Sequence, residues 1–275
     1  MPADPPRPGA GRPRGVRDAG RDAGRGGAGR ARAERPDRPH RPRPPAAPAG
    51  PALPADADPA LLDRALQTAL RSLAPAAAEE VARRLVATGQ LIDTDPLTAY
   101  AHAQVAKRLA GRVGAVREAV GIAAYRAGDY AAALQDLRAA RRMTGADDLL
   151  PTLADCERAL GRPEKALELA ASPEASRLGP AERVELTIVA SGARRDLGQP
   201  QAALLELEGA HLDSGALEPW SLRLWYAYAD ALLAAGRLAE AREWFGAVAA
   251  ADEDDETDAA ERLAVLAAPE DPDST

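Results

Sequence analysis

With one cysteine, Cys156, in 275 residues, the chain can form neither an internal disulfide nor a cysteine-based zinc site. Its three histidines, His40, His102 and His211, stand far apart, without metal-ligand spacing. There is no asparagine, and of 35 basic residues only Lys107 and Lys165 are lysine. The rest are arginine, a bias of GC-rich coding rather than of function. No window approaches the ~18 apolar residues of a membrane-spanning helix. The N-terminus has no apolar secretory stretch, and its first 59 residues hold no Arg-Arg pair. Nucleophile elbow, phosphate loop, dinucleotide fingerprint and His-Glu-x-x-His are all missing. Asp147-Asp148 and the run Asp252–Glu256 lack calcium-loop spacing. These absences point to a cytoplasmic, non-enzymatic protein with no metal, no cofactor and no membrane partner.

What is present falls into two parts. Residues 1–59 hold 14 of the 24 prolines and 9 of the 23 glycines, and their only large apolar residues are Met1, Val16 and Leu53. Such a segment buries too little surface to offset the entropy of ordering, so it is expected to be disordered. Its 12 arginines against six Asp and one Glu give +5, which leaves −12 on residues 60–275 out of a total of −7. Arginine interspersed with glycine from Arg21 to Arg32 is a pattern that tracks nucleic-acid phosphates. The aromatics that usually accompany it are absent, so this is the alternative reading: an RNA- or ribosome-associated factor whose basic arm contacts nucleic acid.

From Ala60 the pattern becomes helical. Leu61, Leu62, Ala65, Leu66, Ala69, Leu70 and Leu73 form an amphipathic stripe, which Pro75 ends or restarts. A second stripe through Val81, Leu85 and Val86 is predicted to stop at Gly89, and Pro96 to open a third helix running to about Leu109. No β-branched alternation occurs, and the fold class is all-α.

Internal similarity follows. Gly128, Gly161, Gly198 and Gly236 each begin a short turn-like run, with spacings of 33, 37 and 38 residues. Five positions after each glycine stands an alanine: Ala133, Ala166, Ala203 and Ala241. A glycine that ends one helix and an alanine that allows the next to pack closely define a helical hairpin. The preceding helices are predicted at 115–127, 148–160, 184–197 and 222–235.

These residues resemble the tetratricopeptide repeats. Gly121, Ala154, Ser191 and Ala229 fall on the family's small eighth position. Ala133 and Ala140 fall on its later alanines, Trp225 on its tryptophan and Phe245 on its late aromatic. The family's closing proline is missing from every unit, and units two and three carry insertions. More narrowly, the layout is similar to uncharacterised tetratricopeptide proteins of high-GC actinobacteria. The resemblance implies a right-handed solenoid of four hairpins over 114–255. An N-terminal helical cap occupies 60–113, a C-terminal capping helix 256–268 and a disordered tail 269–275.

It also implies a concave groove built from the first helix of each unit, and hence an adaptor that binds a protein or peptide. The groove positions carried over are Glu118, Ile122, Tyr125 and Arg126, then Asp155 and Arg158, then Arg195 and Asp196, then Arg223, Tyr226 and Asp230. Family members that clasp a peptide carboxylate use Lys and Asn, and this chain has neither at those positions. The residues expected to contact the partner are Tyr125, Arg126, Arg158, Arg195, Arg223 and Tyr226. Solvated groups of this kind would be removable at a cost within roughly ±0.5 kcal/mol.

Among the aromatics, Trp225, Tyr228, Trp244 and Phe245 have core spacing, whereas Trp220 and Tyr226 are expected to be exposed. Cys156, flanked by Asp155 and Glu157, reads as a packing residue, since neighbouring carboxylates raise a thiol pKa. The acidic run Asp252–Glu256 reads as a solvated loop.

Overall fold

The computed structural model describes residues 50–210, 212 and 217–267; the arm up to residue 49 and the tail after 267 lie outside the described residues. Among the described residues there are twelve α-helices, two short 3-10 turns at Pro59–Leu61 and Pro173–Arg177, and no strand. The helices are α1 (Arg64–Leu70), α2 (Pro75–Leu91), α3 (Pro96–Ala110), α4 (Gly114–Arg126), α5 (Tyr130–Thr144) and α6 (Leu150–Ala159). They continue with α7 (Pro163–Ala170), α8 (Pro180–Asp196), α9 (Pro200–Glu208), α10 (Ser221–Ala234), α11 (Leu238–Ala251) and α12 (Ala259–Ala267). None is long and apolar enough to cross a membrane.

Local chemistry sets the starts. Asp63, Asp95 and Asp129 each accept a backbone N–H from the first turn of the helix they precede, those of Leu66, Thr98 and Ala132. Proline opens α2, α3, α7, α8 and α9, where its missing N–H costs nothing. The hairpin turns are uniform. Gly128, Gly161, Gly198 and Gly236 take φ of 78°, 71°, 70° and 75°, a region that favours glycine. After each, the next residue donates its N–H back to the carbonyl five residues earlier: Asp129 to Ala124, Arg162 to Glu157, Gln199 to Arg194 and Arg237 to Leu232. The four alanines Ala133, Ala166, Ala203 and Ala241 are fully buried.

No hairpin closes its own core. Leu134 and Leu137 of α5 cluster with Leu153 and Cys156 of α6. Leu150 and Ala154 of α6 join Ala166 of α7 and Leu186 and Ala193 of α8. Leu204 and Leu207 of α9 pack with Leu224, Trp225 and Phe245, and α12 adds Ala259 with Leu263 and Leu266 at the margin. Each apolar face is covered by the neighbouring pair, so the hairpins depend on contact with one another.

Three expectations need correction. The arm does not run unstructured to residue 59. Leu53 and Ala57 pack with Val86 and Ala87 on α2, and Arg84 donates to the carbonyl of Pro51 at 2.5 Å. A Pro/Gly-rich segment is held there because α2 supplies the apolar face that the segment lacks. Helix α2 passes through Gly89 and ends at Leu91, since a glycine with open space around it costs a helix only about 1 kcal/mol. Helix α8 starts at Pro180, four residues before the predicted Val184, because proline at the first helical position outweighs the polar start. The acidic run is a loop as read: Glu253–Glu256 are exposed, while Asp252 accepts from the N–H groups of Glu256 and Thr257.

Candidate functional site

All six predicted partner-binding residues are engaged with carboxylates of a neighbouring element. Tyr125 on α4 donates its hydroxyl to Asp155 Oδ2 on α6 at 2.6 Å. The other oxygen of Asp155 takes Arg158 Nη1 at 2.9 Å, and Arg158 Nε reaches Asp196 on α8 at 2.8 Å. One residue along α8, Arg195 donates to Asp230 Oδ2 on α10 at 2.8 Å, and Arg262 on α12 takes Oδ1 of the same carboxylate. Arg223 pairs back to Glu185 on α8, and Tyr226 donates to Asp258 at 2.5 Å. Arg126 meets Asp93 at 3.2 Å.

These side chains are thus held by carboxylates rather than free, although Arg126 and Arg223 remain exposed to solvent. Apart from Arg158 with Asp155, donor and acceptor lie 30 to 38 residues apart in sequence, so each of these side chains meets an acid supplied by another helix or turn. Shared carboxylates and guanidinium forks make ordered, charge-assisted bonds. Tyr226, expected to be exposed, is half-buried, its ring edge-on to Phe245 at 5.5 Å between centroids. Desolvation, then the bond to Asp258, pushes its phenol up to about 12. Tyr125 is raised further for the same reasons. Trp220 is also half-buried, while Trp225, Tyr228 and Phe245 are buried as expected.

What is open lies at the N-terminal end of the same row of first helices. A cleft of about 420 Å³ is walled by Leu66 of α1, Leu85 of α2 with Ile92 just after it, and Ala115, Ala119 and Ile122 of α4. Glu118 stands in its wall and has no hydrogen-bond partner among the described residues. Burial, then the charges of Asp148 and Asp63, raises its carboxyl above the ordinary glutamate value. An apolar slot with one unpartnered carboxyl suits an apolar side chain or a cationic one that buries its stem and leaves its tip at the acid. Glu118 and Ile122 are among the groove positions read from the sequence. The α1 and α2 walls were not, because that stretch lacks the repeat glycine and reads as a cap.

Two buried acids also escaped the sequence reading. Asp136 on α5 is wholly inaccessible and binds Lys107 of α3 at 2.7 Å and Arg117 of α4 at 2.5 Å. Glu157 on α6 is equally buried, between Arg138 of α5 and Arg162 at the start of α7. Each sits where a helical stripe is otherwise apolar, and that interruption is the only signal the sequence holds. Cys156 is fully buried; desolvation, then Asp155 and Glu157, pushes its thiol up to about 12. Such a thiol is a poor nucleophile. No family model matches the chain, and no curated protein matches it.

Proposed function

We propose that the chain is a non-enzymatic adaptor of tetratricopeptide type, a solenoid that holds a protein or peptide segment along the row of its first helices. The open, apolar cleft around Glu118 carries this reading. It lies on the groove positions of the first unit, and its chemistry accepts a side chain rather than a reaction. The uniform glycine turns and the buried alanines five residues on support the repeat. The paired arginines support a stiff frame on which a groove keeps its shape, and preorganised surfaces bind with less loss of entropy.

The test is selection from a displayed peptide library by the full chain, repeated with Ala119→Trp, which fills the cleft, and with Glu118→Gln. A consensus with an apolar or basic anchor that Ala119→Trp abolishes supports the proposal. A consensus indifferent to both substitutions, or none at all, overturns it.

A further inference from the structure

A second cleft, of about 430 Å³, is lined mainly by arginine. Arg138, Arg141 and Arg142 of α5 and Arg177 of the second 3-10 turn converge on it, over a floor that includes Leu153 and Leu169. Asp147 is the one acid in its wall.

The charges do not balance. Asp147 serves two arginines, taking Arg141 at 3.1 Å and Arg177 at 2.8 Å. Glu157 likewise serves Arg138 and Arg162, and Glu174 lies 3.8 Å from Arg141. Arg142 is exposed and has no carboxylate partner among the described residues. Four guanidiniums thus line the cleft against one carboxylate in its wall, Asp147, with Glu157 and Glu174 meeting two of them from outside it. This surplus sits on a body whose residues 60–275 carry −12, so general basicity does not account for it. The acids already present hold the side chains in place. Arg141 and Arg177 are fixed by Asp147, and Arg138 by a buried glutamate, and each guanidinium keeps N–H groups that no carboxylate takes.

We infer that this cleft is a binding site for a small, multiply charged oxyanion, a phosphate ester or a polycarboxylate, whose apolar part rests on the two leucines. Guanidinium forks match the oxygens of either group in pairs, and the volume is that of a small-molecule site. The site is independent of the groove proposed above.

Calorimetric titration of the full chain tests it, with pyrophosphate as the phosphate probe and citrate as the carboxylate probe. Saturable binding of at least one is expected, weakened about tenfold or more by Arg142→Gln/Arg177→Gln. Both positions are exposed, and circular dichroism checks that the variant folds; Arg142→Gln alone serves if it does not. The control Arg64→Gln/Arg242→Gln removes the same net charge from α1 and α11 and is expected to leave binding unchanged. Pyrophosphate binding alone assigns a phosphate ligand, and citrate binding alone a carboxylate ligand. The proposal is overturned if neither probe saturates, or if the cleft variant and the control lose equally.

Discussion

Arg195 on α8 and Asp230 on α10 are joined across two successive hairpins, Nη1 to Oδ2 at 2.8 Å, with the other oxygen of the same carboxylate held by Arg262. Asp230 therefore ties α8, α10 and α12 together. Its removal leaves two guanidiniums facing each other, each with a buried Nε that already lacks a partner. Asp230→Ala is expected to cost about 2 kcal/mol, more than an exposed pair would. Arg195→Ala, which leaves Asp230 with Arg262, is expected to cost about half that. Urea midpoints at constant slope measure both. Equal and negligible shifts would show that the pairing contributes nothing.

The same logic applies to the row as a whole. Replacing Arg158, Arg195, Arg223 and Tyr226 by alanine strips the cross-hairpin bonds made by four residues. The variant is expected to melt several degrees earlier, about 2–4 kcal/mol less stable. Retention of the wild-type midpoint by the fourfold variant would return these residues to the status of solvated groups.

The sequence disclosed the hairpins because their signals are local: a glycine that ends a helix and an alanine five residues on are both short-range requirements. It also disclosed which positions lie on the first helices. It did not disclose that Arg158 meets Asp196, or that Tyr226 meets Asp258, because each partner is supplied by a later helix or turn, 38 residues on in one case and 32 in the other. The packing of Leu53 and Ala57 on α2 was hidden for a similar reason. Composition describes what a segment can bury by itself, not what a neighbouring helix offers it.

Gly121 shows where local propensity and packing disagree. It lies inside α4, where alanine would favour the helix by about 1 kcal/mol. A Cβ at this position would stand 2.6 Å from Leu137 Cδ2 and 3.0 Å from the Leu137 backbone nitrogen. The side chain can turn away, but the backbone of α5 cannot move without separating the helices. Gly121→Ala is expected to destabilise by about 1–3 kcal/mol in spite of the propensity gain. A thermal midpoint at or above that of the wild type would mean that α4 and α5 do not approach this closely.

His102 makes stability depend on pH. Its ring is buried and its Nδ1 lies 3.0 Å from Arg84 Nη1, which donates to it, so the neutral imidazole is the accepting form. Desolvation, then the Arg84 charge, lowers its pKa below 6.5. Between that lowered value and 6.5 the unfolded chain binds more protons than the folded one. The contribution of His102 is therefore intact above 6.5 and is lost as pH falls through the folded value. Urea midpoints of the wild type and His102→Gln, taken at about pH 7.5 and about pH 5, are expected to show the wild type losing more on acidification. Parallel losses in the two proteins would show that His102 does not carry the effect.

Asp136 provides the sharpest test of how the first hairpin is joined to the helices before it. Lys107 is one of two lysines in the chain, and with Arg117 it brings two positive charges from α3 and α4 to one wholly buried carboxylate on α5. Taking a carboxylate out of water is costly, and the two cations offset that cost by direct, short bonds. Both cations retain access to solvent, with side chains 30 % and 24 % exposed, so they can rehydrate if the acid is removed. Asp136→Ala is accordingly expected to cost about 2–4 kcal/mol, at or below the range for an uncompensated buried charge. Asp136→Asn keeps the shape and removes the charge, and is expected to fall between alanine and the wild type. A double-mutant cycle with Lys107→Met separates the charge pairing from the packing. Coupling of about 1 kcal/mol or more between the two positions is expected; additive losses would mean that Asp136 is held by Arg117 alone.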